Sequence, residues 1–213
     1  MAVVDLRPLP VNRHPARRIP QLLVGLILYG TSMAMQIRGA LGINPWDVLH
    51  EGITEQTPLS FGAVTAITGV LVLLLWIPLR QRPGIGTVAN VVVIALVVDA
   101  ALAVIPEPAG LPARIALLVG GVVLNGVATA AYVGARLGPG PRDGLMTGLA
   151  GRTGWSVRLV RTCIEATVLV AGWLLGGTVG VGTVFYALAI GPLTQAFLPL
   201  LTVRDGRGER EGP

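Results

Sequence analysis

Apolar residues along this chain come in long unbroken runs, unlike the alternation of a half-buried strand or the one-sided stripe of a soluble helix. Six runs stand out, at 19–37, 59–79, 84–105, 115–134, 157–175 and 180–203. Each is near the ~20 residues that a helix needs to cross a hydrocarbon core. The pattern predicts an all-α membrane protein with six transmembrane helices. Two polar stretches between the runs, 45–56 and 141–152, are too short and too charged to cross. They predict helices of roughly 18 Å at 1.5 Å per residue. Both open with proline at the first helical position, where its missing N–H costs nothing.

Displaced by 96 residues, the chain aligns with itself without a gap. Leu41-Gly-Ile-Asn-Pro-Trp-Asp-Val-Leu-His-Glu-Gly52 overlays Leu137-Gly-Pro-Gly-Pro-Arg-Asp-Gly-Leu-Met-Thr-Gly148, and Gly84-Ile-Gly-Thr-Val88 overlays Gly180-Val-Gly-Thr-Val184. Between residues 41 and 101, 18 of 61 positions match their partners, many of them Gly, Pro, Asp or Thr, so apolar composition alone does not produce the match. Each unit holds a span, a short helix and two more spans. Three crossings is an odd number, so the second unit enters the membrane from the opposite side. That is an inverted-topology repeat, a plan common among secondary transporters. The expected organisation is a cytoplasmic tail at 1–18, a first unit at 19–105, an external loop at 106–114, a second unit at 115–203 and a tail at 204–213.

Composition agrees with the bilayer as solvent. Hydrophobic side chains make up 53% of the 213 residues and charged ones 13%, against about 25% charged in soluble domains. Mean hydropathy is +0.72. All 16 basic residues are arginine. With both termini cytoplasmic, twelve of them (Arg7, Arg13, Arg17, Arg18, Arg80, Arg82, Arg136, Arg142, Arg152, Arg204, Arg207, Arg210) fall on that side, and only Arg38 and Arg114 on the other. This asymmetry follows the positive-inside rule. The basic charge therefore reports orientation and implies no nucleic-acid partner. Trp46, Trp76, Trp155 and Trp173 lie near proposed span ends, the usual place for interfacial tryptophan. The single Cys163 forms no disulfide within the chain, and the sequence has no metal-ligand spacing.

Asn44 and Pro45 make a helix start, with Asn44 as cap and Asp47 at the third position. Gly140, Pro141 and Asp143 repeat it. Two readings are open for these segments. As re-entrant or interfacial half-helices, their N-termini help form a binding site; alternatively Asp47 and Asp143 only cap their own helices. Gly140, Gly144 and Gly148 form a side-chain-free stripe that admits a neighbouring helix.

The run from Leu41 to Gly52, together with Gly140-Pro-Arg-Asp-Gly-Leu-Met146 and Ile190-Gly-Pro-Leu-Thr-Gln-Ala-Phe-Leu-Pro199, resembles the signature of bacterial YczE-like membrane proteins, grouped with the YitT/YyaS proteins. The resemblance covers about residues 20–202. It implies a multi-pass protein of the bacterial inner membrane and carries over no catalytic residue.

Charges within spans are costly and are functional candidates by default. Asp99 lies deep in the third span, and its repeat partner is Gln195. It is either a coupling-ion or proton site or a hydrogen-bonded acid joining two helices. Arg161 and Glu165 stand one turn apart on the fifth span, able to neutralise each other or to present Arg161 to an anion. Asn90, Asn125 and Gln195 are expected to make hydrogen bonds between helices.

The expected function is a secondary transporter or channel-like carrier for a small solute or ion, with its site at the repeat interface. A non-transporting scaffold, sensor or accessory subunit is the second reading. An intramembrane enzyme is the third, and would need His50, Asp47 and Asp99 to converge. The residues point to no catalytic group and no cofactor. Gly172 and Gly176 can pack helices within one chain or between two copies.

Overall fold

The computed structural model describes residue 6 and residues 8–203. The arginines at 7, 204, 207 and 210, counted above for orientation, lie outside the described residues. Regular structure among the described residues is all helical: α1 (Pro15–Gly39), α2 (Pro45–Gln56), α3 (Phe61–Leu79), α4 (Ile85–Val104), α5 (Leu111–Gly134), α6 (Pro141–Thr153), α7 (Val157–Leu174) and α8 (Val181–Leu201). The last four begin 96 residues after the first four, at every one of the four starts.

Local chemistry sets these starts. Asn44 accepts hydrogen bonds from the Trp46 and Asp47 amides, which satisfies two of the four donors that a helix leaves unpaired at its N-terminus. Ser60 accepts from the Ala63 amide, and its repeat partner Ser156 accepts from Leu159. Thr87 and Thr183 turn back to accept from Gly84 and Gly180 at the starts of α4 and α8.

Five helices are long and apolar enough to cross a membrane: α1, α3, α4, α5 and α8. The sequence predicts a sixth at α7. That helix has 18 residues but carries Arg158, Arg161 and Glu165, so it fails on charge and not on helicity.

The packing crosses between the two halves. α1 and α5 form the central pair, α4 lies on α1, and α8 lies on α5. Each short helix rests on the other half: α2 on α7, α6 on α3. The loops clasp in the same exchanged manner. The Gly86 amide donates to Leu137 O at 3.0 Å, and the Gly182 amide donates to Leu41 O at 2.7 Å. This needs glycine at Gly42 (φ 106°) and Gly138 (φ 133°), where a Cβ would also meet Gly180 N at 2.6 Å and Gly84 Cα at 3.0 Å. The glycine stripe of α6 receives α3, with the Trp76 ring lying over Gly144 and the Gln81 side chain over Gly148. Gly172 packs inside the chain against the Val48–Leu49 backbone.

One contact breaks the pattern. α3 packs along α4, whereas α7 and α8 stand apart and leave a crevice. The outward surfaces of α3, α4 and α8 are apolar, as at Leu71, Leu75, Leu96, Leu188 and Leu200.

One sequence expectation, that for the tryptophans, is corrected here. Arg18 and Arg136, counted above on the cytoplasmic side, are buried within the protein. Arg18 donates to the carbonyls of Ala135, Arg136, Pro10, Arg13 and Leu9, fastening the entry of α1 to the end of α5. Trp46 and Trp76 are interior residues, 6% and 1% exposed, while only Trp155 and Trp173 lie on the surface.

Candidate functional site

The N-termini of α2 and α6 meet. Arg142, second residue of α6, places its guanidinium 5.0 Å from the centre of the Trp46 ring. Its Nη2 lies 3.5 Å from Asp47 Oδ1. Trp46 and Arg142 are repeat partners, so the pseudo-symmetric position holds an aromatic ring from one unit and a cation from the other. Such a stacked guanidinium keeps its donors available at the edge of its plane.

Asp47 is 1% exposed and shared among three groups. Besides Arg142, it accepts from the Asn44 side-chain amide, and its Oδ1 lies 3.5 Å from His50 Nδ1. Asp143, its counterpart in α6, accepts from the Tyr132 hydroxyl at 3.1 Å. Trp76 fixes the start of α6 by donating from its indole to Pro141 O at 3.0 Å.

Two cavities flank this meeting point. The larger, about 610 Å³, lies between α7 and α8 against Leu6 and Pro8 of the N-terminal segment and Gly138 and Pro139 before α6. It is lined by Asn44, Pro45, Trp46, Arg142, Asp143, Arg161, Glu165 and Gln195, and by Tyr29, Tyr132 and Tyr186, the chain's full set of tyrosines. The smaller, about 90 Å³, lies between α3 and α4, against Gly140, Pro141, Arg142, Asp143, Trp46, His50, Thr65 and Asn90. Much of one lining is the 96-residue image of the other. Thr65 corresponds to Arg161, Gly69 to Glu165, Asn90 to Tyr186, Ile94 to Ile190 and His50 to Met146.

Of the residues singled out in the sequence, Asp47, Asp143, Arg161, Glu165, Gln195 and both half-helix starts gather here. Arg161 Nε and Glu165 Oε1 pair at 2.8 Å on the wall of the large cavity. Asn125 makes the expected interhelical bonds, donating to Ser32 and accepting from Tyr186. Gln195 and Asn90 line the large and the small cavity respectively.

Asp99 does not join them. Its Oδ1 accepts from the Gly62 amide at 2.7 Å and its Oδ2 from the Ser60 hydroxyl at 2.6 Å. It closes the N-terminus of α3, where its charge complements the helix dipole. The convergence of His50, Asp47 and Asp99 is met only in its first two members.

Five site residues are not marked out by the sequence: Arg142, which it groups with the cytoplasmic charges, Trp46, which it groups with the interfacial anchors, and Tyr29, Tyr132 and Tyr186. The signal for Arg142 was present in its alignment with Trp46 within an otherwise conserved-looking helix start. No group of three or more His, Cys, Asp or Glu residues among those described could hold a metal ion.

The profile of a family of unknown function (DUF6198) matches residues 16–199. A Haemophilus influenzae protein, described as "Uncharacterized protein", is 38% identical over 185 residues, covering 87% of this chain and 85% of its own. The "Uncharacterized membrane protein YczE" of Bacillus subtilis is 36% identical over 177 residues, 82% of each chain. The "Uncharacterized protein YyaS" of the same organism is 24% identical over 182 residues, covering 84% of this chain and 90% of its own. No solved structure matches. With most of its length matched by the family profile and by relatives above one-third identity, this chain belongs to the YczE-like membrane protein family.

Proposed function

We propose that this protein is a carrier for a small solute, built from two inverted repeats in the inner membrane, with its binding site where α2 and α6 meet. The observation that carries this reading is the pair of unequal cavities. They share a floor of Trp46, Arg142 and Asp143, their walls are repeat images, and one is about 610 Å³ while the other is about 90 Å³. In an inverted repeat such images face opposite sides of the bilayer. Exchanging the packing of α3–α4 with that of α7–α8 then opens the site to one side as it closes to the other. Alternating access needs no further element.

In this reading α7 is the sixth crossing. Arg161 and Glu165 line the cavity, so charge that hydropathy counts against the helix is turned toward water and not toward lipid. The arginine asymmetry supports cytoplasmic termini, and in that orientation the large cavity faces inward. The test is counterflow in proteoliposomes, with a mixed panel of labelled small anions, cations and neutral solutes. A carrier exchanges at least one of them saturably. Rates no higher than in protein-free liposomes for every class, with protein shown folded and correctly inserted, would leave a scaffold or sensor as the better reading.

A further inference from the structure

Resting on the carrier reading, we propose that the solute is a small organic anion bound at Arg142, and that a proton taken up at Nε2 of His50, the imidazole beside Asp47, moves with it.

Asp47 Oδ1 stands between two competitors, 3.5 Å from Arg142 Nη2 and 3.5 Å from His50 Nδ1. Asp47 and His50 are each 1% exposed. The Thr65 hydroxyl donates its hydrogen to Phe61 O at 2.9 Å. Its oxygen, 3.2 Å from His50 Nδ1, is therefore an acceptor. Nδ1 thus carries hydrogen, and Nε2 is the nitrogen that gains or loses a proton. Among the described residues His50 Nε2 has no hydrogen-bond partner, and His50 lines the small cavity. Among the same residues Trp46 Nε1 has none either, and Trp46 lines both cavities. Buried polar atoms are normally satisfied. Two orphans flanking one charged centre mark a place where a ligand and a proton complete the bonding.

Arg142 gives the ligand its sign. Asp47 is the one acceptor of its five N–H groups among the described residues. The planar fork matches a carboxylate, and two helix N-termini add positive potential at the same point. The tyrosine walls suit an organic body more than a bare inorganic ion.

Coupling follows from the sharing of Asp47. With the cavity empty, Arg142 neutralises Asp47. An anion that takes Arg142 leaves Asp47 without its cation, and a proton on the Asp47–His50 pair restores the balance. One negative and one positive charge enter together. The other ionisable groups near the pair have partners of their own. On α2, Glu51 accepts from the Thr178 amide. On α6, Asp143 accepts from Tyr132 of α5. On α7, Arg161 holds Glu165, and Tyr186 of α8 donates to Asn125. Tyr29 of α1 is the remaining ionisable group and lines both cavities, and α3 carries no charged side chain.

The test is titration calorimetry of the purified full chain with benzoate, benzamide and benzylamine, three probes of one shape and different charge. Each is run in two buffers of different ionisation enthalpy. Benzoate binds at least about tenfold tighter than the other two, with uptake of about one proton per benzoate. His50→Gln, shown to be folded by an unchanged thermal unfolding midpoint, loses the proton uptake and binds benzoate more weakly. Arg142→Gln loses the binding. Preference for benzylamine, benzoate binding without proton uptake, or unchanged uptake in His50→Gln would each overturn the inference. So would no benzoate binding at millimolar concentration. If the counterflow panel still shows a carried solute, the carrier reading stands while the anion–proton assignment falls; a silent panel removes the carrier reading itself.

Discussion

Arg142 Nη2 reaches to 3.5 Å from Asp47 Oδ1, so the first turn of α6 is tied by charge to the first turn of α2. Neither helix crosses the molecule, and each rests on a long helix of the opposite half. A link between their tips is where two halves can both bind one ligand and sense each other's position. Arg142→Lys is expected to lower carried flux by roughly tenfold or more, because an ammonium keeps the charge but loses the fork and the stacking on Trp46. Counterflow rate, compared with thermal stability of the same preparation, checks it. A variant that is destabilised but carries solute at the wild-type rate would make Arg142 a strut.

The seat of α6 on α3 depends on a missing side chain. A Cβ on Gly144 would lie 2.0 Å from Trp76 Cζ2. The ring has little freedom to retreat, being 1% exposed and bonded to Pro141 O. Gly144→Ala is expected to cost about 1–3 kcal/mol by overpacking. Gly151→Ala on the same helix meets nothing within 4 Å and is expected to be neutral or slightly stabilising. Thermal unfolding of the two variants in one detergent separates the contact from glycine's helix propensity.

Asp99 was a candidate for ion coupling by its depth in the third span. Its two hydrogen bonds to Ser60 and Gly62 lead to the opposite expectation. Asp99→Asn is expected to retain flux with unchanged pH dependence while losing about 1 kcal/mol of stability, as a charged acceptor at a helix start is replaced by a neutral one. Loss of pH-dependent flux at full stability would return Asp99 to the site.

Much of the fold was legible because it repeats. Runs of apolar residues located α1, α3, α4, α5 and α8 to within a few residues, and the Asn44-Pro45 and Gly140-Pro141 starts located α2 and α6. Orientation signals were less secure, since an arginine at a helix tip looks the same in sequence whether it meets water, as a topogenic charge does, or a buried partner, as Arg142 and Arg18 do. Partner identity is a matter of tertiary distance. The short helices packing on the opposite half could not be read from spacing, because the 96-residue period is satisfied equally by packing within a unit or across units. The departure of α7 from α8 was still less visible. Arg161 and Glu165 hinted at it, as charges that lipid would not accept and a water-filled crevice would.

The small cavity can be latched. A Cβ on Gly69 would lie 3.7 Å from Val91 Cβ, within the range that a disulfide spans. In a Cys163→Ser background, Gly69→Cys with Val91→Cys is expected to crosslink α3 to α4 under oxidation. Flux should fall by roughly tenfold or more if the site must open between them to turn over, and reduction should restore it. Undiminished flux in a fully crosslinked sample would show that these two helices need not part.

The central claim is that the two cavities are one site seen from two sides, and the most direct measurement needs no knowledge of the solute. Thr68 on α3 lines the small cavity and Thr194 on α8 lines the large one. In Cys163→Ser protein, each is replaced singly by cysteine and exposed to a membrane-impermeant maleimide from one face of oriented vesicles at a time. The account predicts that Thr194→Cys reacts from the face bearing the N-terminus and Thr68→Cys from the opposite face. Reaction of both from the same face, or of Thr68→Cys from neither, would contradict it.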